Sequence, residues 1–343
     1  MRTALLTMTM CLFVLPANAK YGGGTGEPND PYQIATAADL IALGGTPEDY
    51  GKHFVLTADI DLDPNLPGQR VFDRAVIAPD VNDTAYDYQG PPFTGFFDGN
   101  RHVIRNLHIQ GAGYLGLFGQ AGSEAKISNL GLDAVDVTGT GNCVGGLVAR
   151  NRGSVTACCS TGSANGGGVV GGLVGVNSGT VIHSYSACMA DGGPVGGLVG
   201  YNDGSITNCY SSGLVMGIDY VGGLVGGNDG SITTCYSTGS VNGPSYVGGL
   251  VSYNSGSITT CYSTASVTGQ AFYVGGLVSE NSGSITNCYS SGGTGLATAE
   301  MQTASTFLEA GWDFVGETAN GTEDIWWIDE GKDYPKLWWE ARD

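Results

Sequence analysis

Val221-Gly222-Gly223-Leu224-Val225-Gly226-Gly227-Asn228-Asp229-Gly230-Ser231-Ile232-Thr233-Thr234-Cys235-Tyr236-Ser237 decides the fold, because the chain writes it six times with small changes. The Val-Gly-Gly-Leu-Val signature starts at Val144, Val170, Val195, Val221, Val247 and Val274, at intervals of 26, 25, 26, 26 and 27 residues. A period that steady defines a solenoid, in which each repeat buries its apolar face only by stacking on its neighbours. Helical repeats need apolar residues at three- and four-residue spacing; these repeats are short runs of Val, Ile, Thr and Tyr cut by Gly, Asn and Ser. The 59 glycines suit a chain that bends several times per coil and would be ruinous for helices. A coil of about 26 residues holds short strands joined by tight turns. Stacked in parallel at about 4.8 Å, six coils make a rod of about 29 Å before its ends are added. The expected fold is all-β, a single-stranded parallel β-helix, or β-solenoid.

In-register stacking turns equivalent positions into columns. One is Asn151, Asn177, Asn202, Asn228, Asn254 and Asn281, each followed two residues later by Gly. Asn-X-Gly is turn chemistry, and stacked Asn amides hydrogen-bond from coil to coil. A second column is Cys158, Ser184, Cys209, Cys235, Cys261 and Cys288; a third is Cys159, Tyr185, Tyr210, Tyr236, Tyr262 and Tyr289. Ile206 and Cys209 are three apart, so a bend must lie between them if both face inward. Tyr210 and its equivalents then point outward as a ladder of phenols, which suits sugar rings or the apolar groups of a protein partner. The competing reading is that stacked Tyr only stabilises the rod.

The ends read differently. Residues 1–19 have the basic start, apolar run and Ala17-Asn18-Ala19 site of a secretory leader, so the mature chain is expected to begin at Lys20 and to be secreted or displayed at a cell surface. Residues 20–110 read as an N-terminal cap and first coils, 111–295 as repeats, and 296–343 as a C-terminal capping segment. Thr36 should cap a short helix through Leu43; His53 to Leu62 alternates like a strand; Phe93 to Ile109 reads as a hairpin-like entry. Thr298 to Ala310 reads as a helix broken by Gly311. All five tryptophans (Trp312, Trp326, Trp327, Trp338, Trp339) follow the last repeat, and are expected to plug the apolar end of the rod, or alternatively to offer a carbohydrate platform.

The Gly-Leu-apolar-Gly core, intact at Gly116–Gly119, Gly172–Gly175, Gly197–Gly200 and Gly223–Gly226, resembles the GLUG motif of exported bacterial surface proteins. Ala149, Ser252 and Ser279 replace the last Gly, so those turns are expected to differ slightly. The resemblance covers roughly residues 114–292. It implies a β-solenoid stalk or binding surface and brings no catalytic residues.

A net charge of −19 opposes binding to nucleic acid or anionic membranes. No stretch after the leader has the length and apolarity of a membrane span. Eight cysteines remain after the leader; in a parallel stack their Cβ vectors point the same way, which favours buried thiols over disulfides, with Cys143, Cys159 and Cys188 off the column. Between Gly139 and Gly295 the cations are Arg150 and Arg152, and no nucleophile elbow, His-Glu-X-X-His or matched His spacing occurs. Asp203 and Asp229 sit one coil apart in Asn-Asp-Gly turns, where Asp is ordinarily a turn residue. Asp59, Asp61 and Asp63 alternate on one strand and are a weak Ca²⁺ candidate, although the spacing is not that of an EF-hand. These features favour a non-catalytic binding or adhesion protein for a glycan or cell-surface protein, over a polysaccharide-degrading β-helix enzyme or a bare spacer.

Overall fold

A computed structural model describes residues 20–82, 87–269, 273–291 and 295–342; the expected leader lies outside them. One coil runs through strands Val221–Gly222, Val225–Asn228, Ser231–Thr233, Tyr236–Ser237 and Ser240–Asn242. Each strand pairs in parallel with its equivalent on either side, as Val195, Val221 and Val247 do. The result is four long ladders of ten, fourteen, seven and seven strands running along a rod. Val221, Leu224, Val225, Ile232, Cys235 and Val241 of this coil are fully buried inside it. Burying each Val, Leu or Ile is worth about 1.5–3 kcal/mol, so the interior is the main stabilising term.

The corners explain the repeat. A side chain on Gly223 would sit 2.0 Å from the Gly249 carbonyl oxygen of the next coil, so the second Gly of the signature is fixed by coil-to-coil approach. Substitution of the last Gly leaves the register intact: Val251 and Asn254 still pair with Val225 and Asn228, and Val278 and Asn281 with them in turn. The Ser279 hydroxyl donates to the Tyr273 carbonyl at 2.9 Å, so Ser is accommodated by a bond of its own. A further corner is left-handed: Asn208 has φ 55°, as do Asn129, Ala157, His183, Thr234, Thr260 and Asn287 within a few degrees. This bend lets Ile206 and Cys209 both face inward and turns Tyr210 outward.

At the N-terminal end, α1 (Ala37–Gly44) carries a reciprocal cap, Asp39 N–H to Thr36 Oγ1 at 3.2 Å and Thr36 N–H to Asp39 Oδ2 at 3.0 Å. Its Leu40 and Leu43 are fully buried in the same core as Ile34, Phe54 and Phe97. Beside it lies the outermost strand of the ten-stranded ladder, Tyr32–Ile34. His53–Leu56 and Ile60–Asp61 are separate strands in different sheets rather than one. The expected hairpin is instead a coil: Phe96–Asp98 pairs in parallel with Lys126–Ser128, and Val103–Arg105 and His108–Gly111 pair in parallel with successive parts of Gly131–Gly139. Asn100 and Arg101, at φ 49° and 65°, make a corner there, not a chain reversal.

The C-terminal segment corrects a second expectation. Its helix is two pieces, α2 (Thr298–Met301) and α3 (Ala304–Leu308). Its tryptophans do not plug the end of the rod. Trp312 and Trp326 stack at 4.7 Å and are fully buried against the side of the rod, over Tyr262 and Tyr289. They fill that place because the outward Tyr ladder offers a continuous apolar wall, and burial removes these two, but not the half-buried Trp327, Trp338 and Trp339, from a carbohydrate platform.

Candidate binding surface

Columns on the outside of the rod carry whatever the molecule presents, because every side chain there repeats at coil spacing. The expected ladder Tyr185, Tyr210, Tyr236, Tyr262 and Tyr289 does form: adjacent rings from Tyr185 to Tyr262 lie 4.9 Å apart and within 6° of parallel. It is not a free strip. Tyr262 is 1 % exposed and Tyr236 is also buried. Trp339 lies 5.6 Å from Tyr210 and 6.2 Å from Tyr185. The hydroxyls are taken as well: Tyr236 donates to Glu340 Oε2 at 2.7 Å, Tyr289 to the Thr306 carbonyl at 3.3 Å, and Tyr262 to the Pro335 carbonyl. Burial holds the Tyr236 and Tyr262 phenols well above their ordinary range, and the Glu340 carboxyl above its own. A cleft of about 400 Å³ remains between this wall and Asp333, Tyr334 and Lys336.

A second tyrosine ladder lies elsewhere, and sequence reasoning missed it. Tyr220, Tyr246 and Tyr273 each precede a Val-Gly-Gly signature, which was the available signal. Their rings stack at 5.1 and 4.9 Å. Tyr273 is 52 % exposed, and Tyr220 and Tyr246 are partly exposed. None of the three hydroxyls has a protein hydrogen-bond partner among the described residues. Nearer the N-terminus, Tyr114, Cys143, Val169 and Pro194 occupy the same column. Across the Gly-Gly corner runs a facing column, Gln120, Arg150, Val176, Tyr201, Gly227, Tyr253 and Glu280. The two touch where Tyr253 meets Tyr220 edge-to-face at 6.2 Å. Further N-terminal they part around a cleft of about 330 Å³ lined by Tyr114, Cys143, Val169, Val176, Pro194 and Arg150. Burial pushes the Cys143 thiol up to about 12, so at neutral pH it is an apolar wall, not a nucleophile.

Stacking at about 5 Å sets what such a ladder can do. The rings cover one another's faces, so a ligand meets a row of ring edges and free hydroxyls; Tyr273, last in the row, also presents a face. This chemistry suits a partner with many hydroxyls and aliphatic C–H groups along an extended line.

The other candidates are structural in their contacts. The Asn column is fully buried through Asn254 and bonds amide to carbonyl along the rod, from 2.8 Å between Asn151 and Asn177 to 2.6 Å between Asn254 and Asn281. In the Cys column each thiol donates to the carbonyl two residues back, 3.2 Å for Cys209, and Cys209, Cys261 and Cys288 also accept from the preceding coil, at 3.4 Å from Ser184 N–H for Cys209. Ser184 does both with its hydroxyl, which is why Ser substitutes there. Cys158, Cys209, Cys235, Cys261 and Cys288 are free thiols, as are Cys143, Cys159 and Cys188. Burial pushes Cys158 up to about 12 and Cys235 well above the ordinary thiol range.

The weak Ca²⁺ candidate is not assembled. Asp59 accepts from the Val103 N–H at 3.0 Å and from the Arg105 guanidinium at 3.0 Å, with His102 at 3.2 Å. Those contacts, the Val103 N–H first, hold its carboxyl below the ordinary range. Asp61 accepts from Asn106, and Asp63 from Asn65. Among the described residues no group of three or more His, Cys, Asp or Glu side chains is arranged to hold a metal ion. Asp61, Arg105 and Asp133 are neighbours in register, so charges alternate along this column where like charges would repel. Asp229 and Asp203 are likewise engaged as turn residues: Tyr201 and Ser255 donate to Asp229, and Ser178 to Asp203 at 3.3 Å.

Fold and columns together define a parallel β-solenoid with a side-docked C-terminal segment. The GLUG motif model matches residues 191–215, 219–242, 243–268 and 270–294, and these coils are GLUG-motif repeats. The chain is 34% identical over 145 residues to halomucin of Haloquadratum walsbyi, covering 42% of this chain and 2% of that protein. It is 32% identical over 143 residues to a protein provisionally named a Gly-rich membrane protein in Evansella cellulosilytica, covering 39% of this chain and 15% of that one. This sequence thus spans only a small part of the length of either relative. Among solved structures it is similar to a provisionally named immunoglobulin A1 protease from Bacteroides ovatus, with TM-score 0.57 and 18% identity, over 93% of this chain and 95% of that one. A second, an IgA1 protease, has TM-score 0.52 and 17% identity over 71% of this chain and 20% of that one. At those identities the likeness is one of fold.

Proposed function

We propose that this chain is a non-catalytic binding solenoid of the cell exterior, and that its ligand is a glycan lying along the Tyr220–Tyr246–Tyr273 ladder. The observation that carries the reading is three stacked phenols, Tyr273 exposed and Tyr220 and Tyr246 partly so, whose hydroxyls have no protein hydrogen-bond partner among the described residues, continuous with a partly apolar cleft. The names of the relatives, a halomucin and a Gly-rich membrane protein, support a place outside the cell or at its surface. Net charge supports a neutral glycan over a polyanion, with nucleic acid disfavoured for the same reason. No helix among the described residues is long and apolar enough to cross a membrane.

The test incubates the chain with insoluble and soluble polysaccharides, with and without Ca²⁺, and follows protein depletion and release of reducing ends together. Depletion without product is expected. The combined replacement of Tyr220, Tyr246 and Tyr273 by Phe should weaken binding at least about tenfold, since the row offers three hydroxyls and, at Tyr273 alone, a ring face. Product release would replace this reading with a polysaccharide-degrading one. Binding unchanged by the triple replacement would remove the ladder from it, and no binding to any polysaccharide would turn the search to protein partners.

A further inference from the structure

The two ends of the rod are not alike. α1 and its buried Leu40 and Leu43 cover the N-terminal end. At the other end, the last coil repeats the residues that every inner coil buries, and leaves them open. Ile285 is 38 % exposed where Ile232 and Ile258 are fully buried; Val274 is 49 % exposed where Val221 and Val247 are fully buried. Asn281 is exposed where its column mates are fully buried, and no further Asn accepts from its amide. The C-terminal segment, which had the tryptophans to cover this face, lies along the side of the rod instead.

We propose that this face is the contact between two copies of the chain, joined end to end through their last coils. Three observations select that occupant. The face is the open edge of a coil whose strands pair in register with the coil beneath, so the open edge of a second such coil matches its breadth and, turned over by the two-fold, meets it strand against strand in antiparallel sense. From Tyr273 to Ser290 the only charged residue is Glu280, in a chain of net charge −19; protein contacts are depleted of charge at their centre, whereas exposed sheet edges are ordinarily guarded by Lys or Pro. The covered N-terminal end excludes head-to-tail growth. Two open ends therefore close on each other, and assembly stops at two.

Sedimentation velocity of the chain at tens of micromolar tests this. The expected species is a dimer. Val274→Lys and Ile285→Lys should each raise its dissociation constant at least about tenfold, with circular dichroism unchanged. Ile218→Lys, on an apolar side chain 73 % exposed on the rod's flank, adds the same charge and should leave the dimer intact. If Ile285→Lys disturbs the last coil, Val274→Lys decides. A monomer at all concentrations, an open-ended polymer, or a dimer indifferent to Val274→Lys would each overturn the proposal.

Discussion

A single thiol shows how the repeat is held. Cys261 Sγ accepts from the Cys235 N–H at 3.3 Å and donates to the Thr259 carbonyl at 3.1 Å. Ser can do both, as Ser184 does; Val has nearly the shape and neither bond. Cys261→Ser should therefore change stability little, and Cys261→Val should cost about 1–3 kcal/mol by stranding a buried N–H, measured as a shift in the denaturation midpoint. A loss as large from Ser as from Val would mean that sulfur packing, not hydrogen bonding, sets this position. The same coil carries a local conflict. Thr260 sits at φ 56°, a left-handed conformation that costs a β-branched residue about 1–2 kcal/mol, and Asn occupies the matching corner at Asn208 and Asn287. Thr260→Asn should stabilise by about 1 kcal/mol in the same assay.

At the scale of elements, the docking of the C-terminal segment is a titratable contact. Tyr236 and Tyr262 have folded-state values above their ordinary phenol range, so the stability they lend is complete below about pH 10 and is lost as pH rises through the folded values. Glu340 is also raised, by burial, so its ionised form opposes docking, and docking tightens as pH falls through its folded value. Tryptophan emission should stay blue-shifted through neutrality and move red in alkali before the solenoid's circular dichroism is lost. Glu340→Gln keeps an acceptor for the Tyr236 hydroxyl and should raise the midpoint of that emission change. A midpoint lowered by Gln would show that the charge itself holds the segment down. This contact marks the limit of what the sequence disclosed. The period, the inward columns, the Asn ladder and the α1 cap are local or one coil apart, so 26-residue spacing exposes them. What covers the Tyr185–Tyr289 wall is set by a segment distant in sequence, 104 residues away in the Tyr236–Glu340 bond, with no periodicity to announce it. The second ladder was legible in principle, as a Tyr before Val-Gly-Gly in three successive repeats, but only for a reader who followed every outward column and not the most regular one.

For the whole molecule, each coil touches only its neighbours, so length is a quantity the fold can change in whole coils and not in fractions. Deleting residues 144–169 removes one 26-residue coil and joins Cys143 to Val170, a residue that already occupies the position of Val144 in the next coil. The Tyr185–Tyr289 wall and its tryptophans are untouched by that cut. The shortened chain should fold with the circular dichroism of the parent, and its denaturant slope should fall in proportion to the surface lost. Deleting residues 144–156, half a coil, brings outward columns over inward ones, so Val, Ile and Cys meet solvent and Tyr and Asp meet the core. That chain should not fold. Equal tolerance of both deletions would mean that the coils are held by something other than register, and equal failure would mean that the solenoid is one cooperative body in which no coil is dispensable.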